Sequence, residues 1–135
     1  MSFLVLSSSR GTTLKATLEA IKNGNLHNPC LGVIADREDR GCVEIARSYG
    51  VPMEIVPVTI GEEREAYDAR LDAMIRTMIG GIDPQTVTIA CMGWMRILTP
   101  WFVQQWRHQI LNVHPSLLPK HPGAHAHELV LAAGD

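Results

Sequence analysis

Cysteine is scarce: Cys30, Cys42 and Cys91 stand far apart and form no CxxC pair. That gives little support to a disulfide framework or to structural zinc and suits a reducing compartment. Long apolar runs are missing too. None approaches the roughly 20 residues that a membrane helix needs. The opening MSFLVLSS has no basic start and is too short for a signal peptide. Charge of one sign is also lacking. Twelve Lys+Arg against 14 Asp+Glu leave a net charge of −2, without the basic excess of phosphate-backbone binders. The expectation is a soluble, cytoplasmic protein with no nucleic acid and no membrane as partner. One small anion remains open, because a single helix N-terminus can bind a phosphate.

What is present is apolar sequence in short pieces. Hydrophobic residues make up 46% of 135, which excludes a disordered chain and suits one domain with one core. No repeat, low-complexity tract or linker interrupts it. Phe3–Leu6, Leu31–Ala35, Met53–Val56, Val87–Met92 and Ile110–Val113 read as short strands. Helical stripes lie between them: Leu14, Leu18 and Ile21; then Cys42, Ile45, Ala46 and Tyr49, with Gly50 at C′. The longest helix is predicted over Glu62–Ile79, with Tyr67, Leu71, Met74, Ile75 and Met78 buried. Its acidic start, Glu62, Glu63 and Glu65, suits the helix dipole. Thr99 and Pro100 read as the N-cap and N1 of a short helix. A Pro-rich loop over 115–122 and a last helix over 125–133 complete the pattern. Strands alternating with helices imply a parallel sheet covered on both faces, a Rossmann-like α/β/α architecture. Ligands then sit beyond the C-terminal ends of the strands.

Four segments lie there: Ser7–Thr13, the charged loop Asp36–Arg40, Gly93–Thr99 and Asn112–His127. The turn Ser7–Thr13 is small and hydroxyl-rich, with Gly11, so backbone N–H groups can approach an anion; Thr12 and Thr13 add hydroxyls and Arg10 a charge. It is neither a GxGxxG nor a Walker loop, and an ordinary N-cap turn explains it equally well. In Gly93–Thr99, Gly93 permits close approach. Met95, Ile97 and Leu98 offer an apolar wall for a flat heterocycle, unless the segment merely packs, with Arg96 in an ion pair. On the fifth strand Asn112 and His114 point to one face, side by side at its C-terminal rim. An amide there can donate to a developing oxyanion, and an imidazole can stabilise charge or move a proton. The cluster His114, His121, His125 and His127 contains an H-x-H pair. No carboxylate or thiol in it has ligand spacing, and an i, i+2 pair diverges on a helix, so no metal is expected. Pro115, Pro119, Pro122 and Gly123 imply a stiff, shaped rim instead.

Together these segments resemble the phosphoribosylglycinamide formyltransferase family. The resemblance is carried by the Ser-rich loop with Gly11 and Leu14, by Met95-Arg96-Ile97-Leu98-Thr99-Pro100, and above all by Asn112-Val113-His114-Pro115-Ser116-Leu117-Leu118-Pro119-Lys120. His121–His127 also looks like the family's loop, and the resemblance covers essentially the whole chain. It implies direct formyl transfer from 10-formyltetrahydrofolate, a co-substrate, to the amine of glycinamide ribonucleotide in purine biosynthesis, with no metal. By resemblance Arg10, Gly11, Thr12 and Thr13 occupy the ribotide-phosphate turn, and Pro115 the substrate-contacting stretch. Met95, Arg96, Ile97 and Leu98 line the folate site. Asn112 and His114 hold two of three catalytic positions.

Two departures matter. Where the family has a Gly-Asn-Gly-Ser-Asn type loop, this chain reads Ser9-Arg10-Gly11-Thr12-Thr13. The family's third catalytic residue, an Asp, lies downstream of the helix over 125–133, and Asp135 does not match it. Residues 1–135 are therefore expected to form a formyltransferase N-terminal domain, truncated at its C-terminal end. Such a chain should be weak or inactive alone and should self-associate through an exposed sheet edge. The alternatives are a non-catalytic ribotide- or phosphate-binding module, a formyltransferase acting on a sugar nucleotide or methionyl-tRNA, and, last, a metal hydrolase built on the histidines.

Overall fold

The structure is a computed structural model and describes residues 1–113. The first strand, β1 (Ser2–Ser7), carries Leu4, Val5 and Leu6, all without solvent exposure. A strand apolar on both faces has to be central in its sheet, with helices on either side. It pairs in parallel with β2 (Cys30–Ala35) on one side and β4 (Val87–Met92) on the other. β3 (Met53–Ile55) extends the sheet beyond β2, and β5 (Ile110–Val113) beyond β4. The order is β3-β2-β1-β4-β5, all parallel. The direction of crossover reverses between β1 and β4, and in sheets of this kind the ligand-binding crevice lies at that point, beyond the strand C-termini.

Alternation along each strand feeds two cores. Phe3, Val5, Val33 and Ala35 face α1 (Thr12–Lys22) and α2 (Gly41–Ser48), meeting Leu14, Leu18, Cys42 and Ala46. Leu4, Leu6, Ile34 and Ile89 face α3 (Arg64–Ile79) and α4 (Pro100–Gln105), meeting Tyr67, Leu71, Ile75, Phe102 and Trp106. A 3-10 turn, Pro84–Thr86, precedes β4. Gly50 follows α2 at φ +71°, the left-handed conformation expected at C′. Thr99 caps α4, its Oγ1 accepting from Phe102 N at 3.3 Å, with Pro100 at N1.

The long helix differs from its expected form. It begins at Arg64, and only Glu65 lies in its first turn. Glu63 is its extended N-cap, while Glu62 sits in a turn whose N–H donates to Thr59 O and whose carboxylate pairs with Arg70. Glu62 thus faces Arg70 instead of the helix start. Its buried face also contains Asp68 and Asp72, whereas Met74 and Met78 are only half-buried. Asp72 accepts from Trp106 Nε1 at 2.8 Å and Arg76 Nε at 2.9 Å, which satisfies the carboxylate inside the layer. The loop over 115–122 and the helix over 125–133 lie outside the described residues.

Truncating Leu6 removes the centre of the α3–α4 layer. Leu6→Ala should lower the unfolding free energy by about 2–5 kcal/mol. Equilibrium urea unfolding measures it, and a loss below about 1 kcal/mol would contradict this packing.

Candidate functional site

The chain leaves β1 into a turn that closes on itself. Ser7 Oγ and Ser9 Oγ lie 2.8 Å apart, Ser9 N donates to Ser7 Oγ at 3.2 Å, and Gly11 N donates to Ser9 Oγ at 3.1 Å. These hydroxyls shape the turn. Gly11 caps α1 at φ +94° and has no side chain to offer. The first-turn N–H groups of Thr12, Thr13 and Leu14 therefore have no intrahelical acceptor, which is the geometry that receives an anion. A Cβ on Gly11 would lie 2.9 Å from Cys42 Cα, and one on Gly41 would strike the Arg10 carbonyl. The close approach of α2 thus requires both glycines. Arg10 and Thr12 are exposed, but Thr13 is buried, so its side chain packs against the core more than it faces solvent.

Two neighbouring loops meet this turn. After β2, Asp36 accepts from Arg40 Nε at 3.0 Å and Nη2 at 3.1 Å. Burial raises the Asp36 carboxyl, but hydrogen bonds and charge from Arg40, with a hydrogen bond from Ser8, outweigh it and hold the carboxyl below the usual carboxylate range. After β4, Gly93 adopts φ +74° and its carbonyl accepts from Ser8 N at 3.0 Å. A Cβ there would come within 2.7 Å of Ser9 Cβ. Met95 and Ile97 stand out at 74% and 71% exposure, whereas Leu98 turns inward onto the α3–α4 core. The expected wall is therefore Met95 and Ile97 without Leu98. Arg96 forms no ion pair among the described residues; its guanidinium lies 3.9 Å from the Tyr67 ring centroid. Among those residues Trp94 Nε1 and Arg96 Nε are buried without a hydrogen-bond partner.

Asn112 ends a row that crosses the sheet: Glu54, Ile34, Leu6, Cys91, Asn112. The middle three are buried, and Asn112 is exposed on the α3–α4 side. Its polarity is compatible with the strand because β5 is the last of the described strands. His114, Pro115 and the histidines at 121, 125 and 127 lie outside the described residues. Cys91 is buried and its thiol is pushed up to about 12, and Cys30 to about 11, so neither is a ready thiolate. Among the described residues no group of three His, Cys, Asp or Glu side chains could hold a metal ion, and no helix is long and apolar enough to cross a membrane. A cavity of about 480 Å³ beside Pro84, Gln85 and Gln109 opens at the N-terminal ends of β4 and β5, away from this crevice.

The sequence reading included Ser8 and Asp36 only as members of the segments after β1 and β2, without a role of their own, and it missed Asp68. A serine in a turn and an aspartate in a loop look solvated, and no periodic signal marks their burial. Asp68 at least follows Tyr67 on a recognisable helix, so its proximity to the buried face was readable.

A model of the formyl transferase family matches residues 1–135. A phosphoribosylglycinamide formyltransferase of Escherichia coli is 37% identical over 138 residues, covering 100% of this chain. One from Haemophilus influenzae is 29% identical over 97% of the chain. The chain spans 61% and 59% of the lengths of these two relatives. Among solved structures, a phosphoribosylglycinamide formyltransferase of Coxiella burnetii superposes with a TM-score of 0.75 at 32% identity, and glycinamide ribonucleotide transformylase 1 of Symbiobacterium toebii with 0.74 at 32%. Each match covers 100% of this chain and 61% of the other.

The Asp36 pair carries a pH signature. A depressed carboxyl stabilises the fold above the ordinary aspartate pKa of about 3.9 and loses that contribution as pH falls through its folded value. Asp36→Asn should therefore lower Tm at neutral pH, with the gap to wild type closing below about pH 4. Thermal melts across pH test this, and a gap of constant size would contradict it.

Proposed function

This chain belongs to the formyl transferase family, and we propose that it transfers the formyl group of 10-formyltetrahydrofolate to the amine of glycinamide ribonucleotide. The supporting observation is convergence at the C-terminal end of three neighbouring strands. The uncapped start of α1, the apolar pair Met95 and Ile97, and Asn112 all stand at the C-terminal ends of β1, β4 and β5. Relatives named for this reaction match the chain over its full length.

The residues divide the work by chemistry. Gly11 and the first-turn N–H groups of α1 receive the ribotide phosphate, with Arg10 and Thr12 beside them; Thr13 contributes its backbone more than its buried hydroxyl. Met95 and Ile97 give a flat ring an apolar surface. Trp94 Nε1 and Arg96 Nε, buried and without a partner among the described residues, are donors suited to a polar heterocycle. When the substrate amine attacks the formyl carbon, the carbonyl oxygen gains negative charge. The Asn112 side-chain amide donates to that oxygen and so favours the tetrahedral state over the ground state. His114 is the companion proposed to stabilise the charge and relay the proton, and Pro115 lies in the substrate-contacting stretch.

Formyl transfer by the 135-residue chain, followed as release of tetrahydrofolate, tests this reading together with calorimetric titration of glycinamide ribonucleotide. Binding of the ribotide is expected. Asn112→Ala should cut any turnover by about 10²–10³-fold, the cost of losing one oxyanion donor. A chain that binds neither ribotide nor tetrahydrofolate would overturn the assignment.

A further inference from the structure

The Gly93–Thr99 segment has neither helix nor strand, so no ladder holds its backbone. Yet it keeps two apolar side chains, Met95 and Ile97, turned out to solvent. An unsupported segment of this composition should fold such side chains inward, because burial removes apolar surface from water. Two side chains oppose that. Met95 N donates to Ser8 Oγ at 3.2 Å, and Thr99 N donates to Asp68 Oδ2 at 2.8 Å. Ser8 is 6% exposed and Asp68 2%. One acceptor comes from the end of β1 and the other from α3, so Met95 and Thr99 are fixed against different elements beyond the Ser8 N–Gly93 O bond that holds the start of the segment. Between them Arg96 lies over Tyr67, whose hydroxyl donates to Val56 O at 2.5 Å.

We propose that Ser8 and Asp68 are positioning residues that hold the Met95–Leu98 backbone so that Met95 and Ile97 stay presented to the flat ring of the formyl donor. This rests on the reading above that this segment lines the donor site. Neither side chain need touch the donor; each acts through a backbone N–H. The Asp68 contact needs an acceptor oxygen rather than a charge, so an amide can replace the carboxylate where a methyl cannot.

The test titrates tetrahydrofolate and, separately, glycinamide ribonucleotide into the full 135-residue chain and its variants, with circular dichroism confirming the fold. Ser8→Ala and Asp68→Ala should each weaken tetrahydrofolate binding by about tenfold, the worth of one well-made hydrogen bond. In Asp68→Ala ribotide affinity should stay within about twofold, and Asp68→Asn should restore most of the tetrahydrofolate affinity. Unchanged tetrahydrofolate affinity in folded Asp68→Ala, or parallel loss of both ligands, overturns the proposal while leaving the functional reading intact. A wild-type chain that binds the ribotide but no tetrahydrofolate overturns the donor-site reading and the proposal with it. Should Asp68→Ala not fold, hydrogen exchange in the wild-type chain decides. The Met95 and Thr99 amides should exchange about tenfold more slowly than the Ile97 amide, and equal rates overturn the proposal.

Discussion

The structure depends on β1 being paired on both edges while carrying no exposed residue between Leu4 and Leu6. A strand in that position has its register set twice, once against β2 and once against β4. The chain cannot continue past Ser7 without turning between the loops that follow those two neighbours. Every close contact of the crevice follows from this. Gly93 must approach Ser9, Gly41 must approach Arg10, and Gly11 must approach Cys42, because three loops share the space above three adjacent strands. At Gly11 and Gly93 both lack of room and backbone angle require glycine, and at Gly41 lack of room alone does.

Crowding of that kind buries polar atoms, and burial without partners is costly. The solution is a set of short side chains whose bonds run between elements. Ser8 links the end of β1 to the β4–α4 loop, Asp68 links α3 to the N-cap of α4, and Asp72 links α3 to Trp106. Each of these acceptors meets an N–H donor from another element. The sum is an irregular β4–α4 loop held by the Ser8 N–Gly93 O bond and by these side chains, with Met95 and Ile97 left facing outward.

Much of the architecture was legible in the residues. Short apolar runs separated by helical stripes announce a doubly covered parallel sheet, and all five strands appear where those runs lie. Thr99-Pro100 and Gly50 marked helix ends correctly because capping chemistry is local. The start of α3 was less legible, since the Glu62–Arg70 pair joins residues whose meeting depends on the path of the turn. Of the proposed site, Gly11, Met95 and Ile97 could be named from position after a strand and Asn112 from position near the end of one. The inward turn of Leu98, the burial of Thr13 and the stacking of Arg96 on Tyr67 could not, because a side chain's direction in an irregular segment has no period to betray it.

The sequence by itself determined the order and type of the elements, the two-faced burial of the central strands and the family to which the chain belongs. All of these rest on local propensity, periodicity or contiguous motif. Only the tertiary structure decided which polar residues act as supports and which face the crevice. Ser8 and Met95 are 87 residues apart, and Asp68 and Thr99 are 31 apart. Such pairs exist only once β1 and β4 lie side by side and α3 packs across them. A hydrogen bond is a short-range interaction, and the fold alone brings its donor and acceptor within reach.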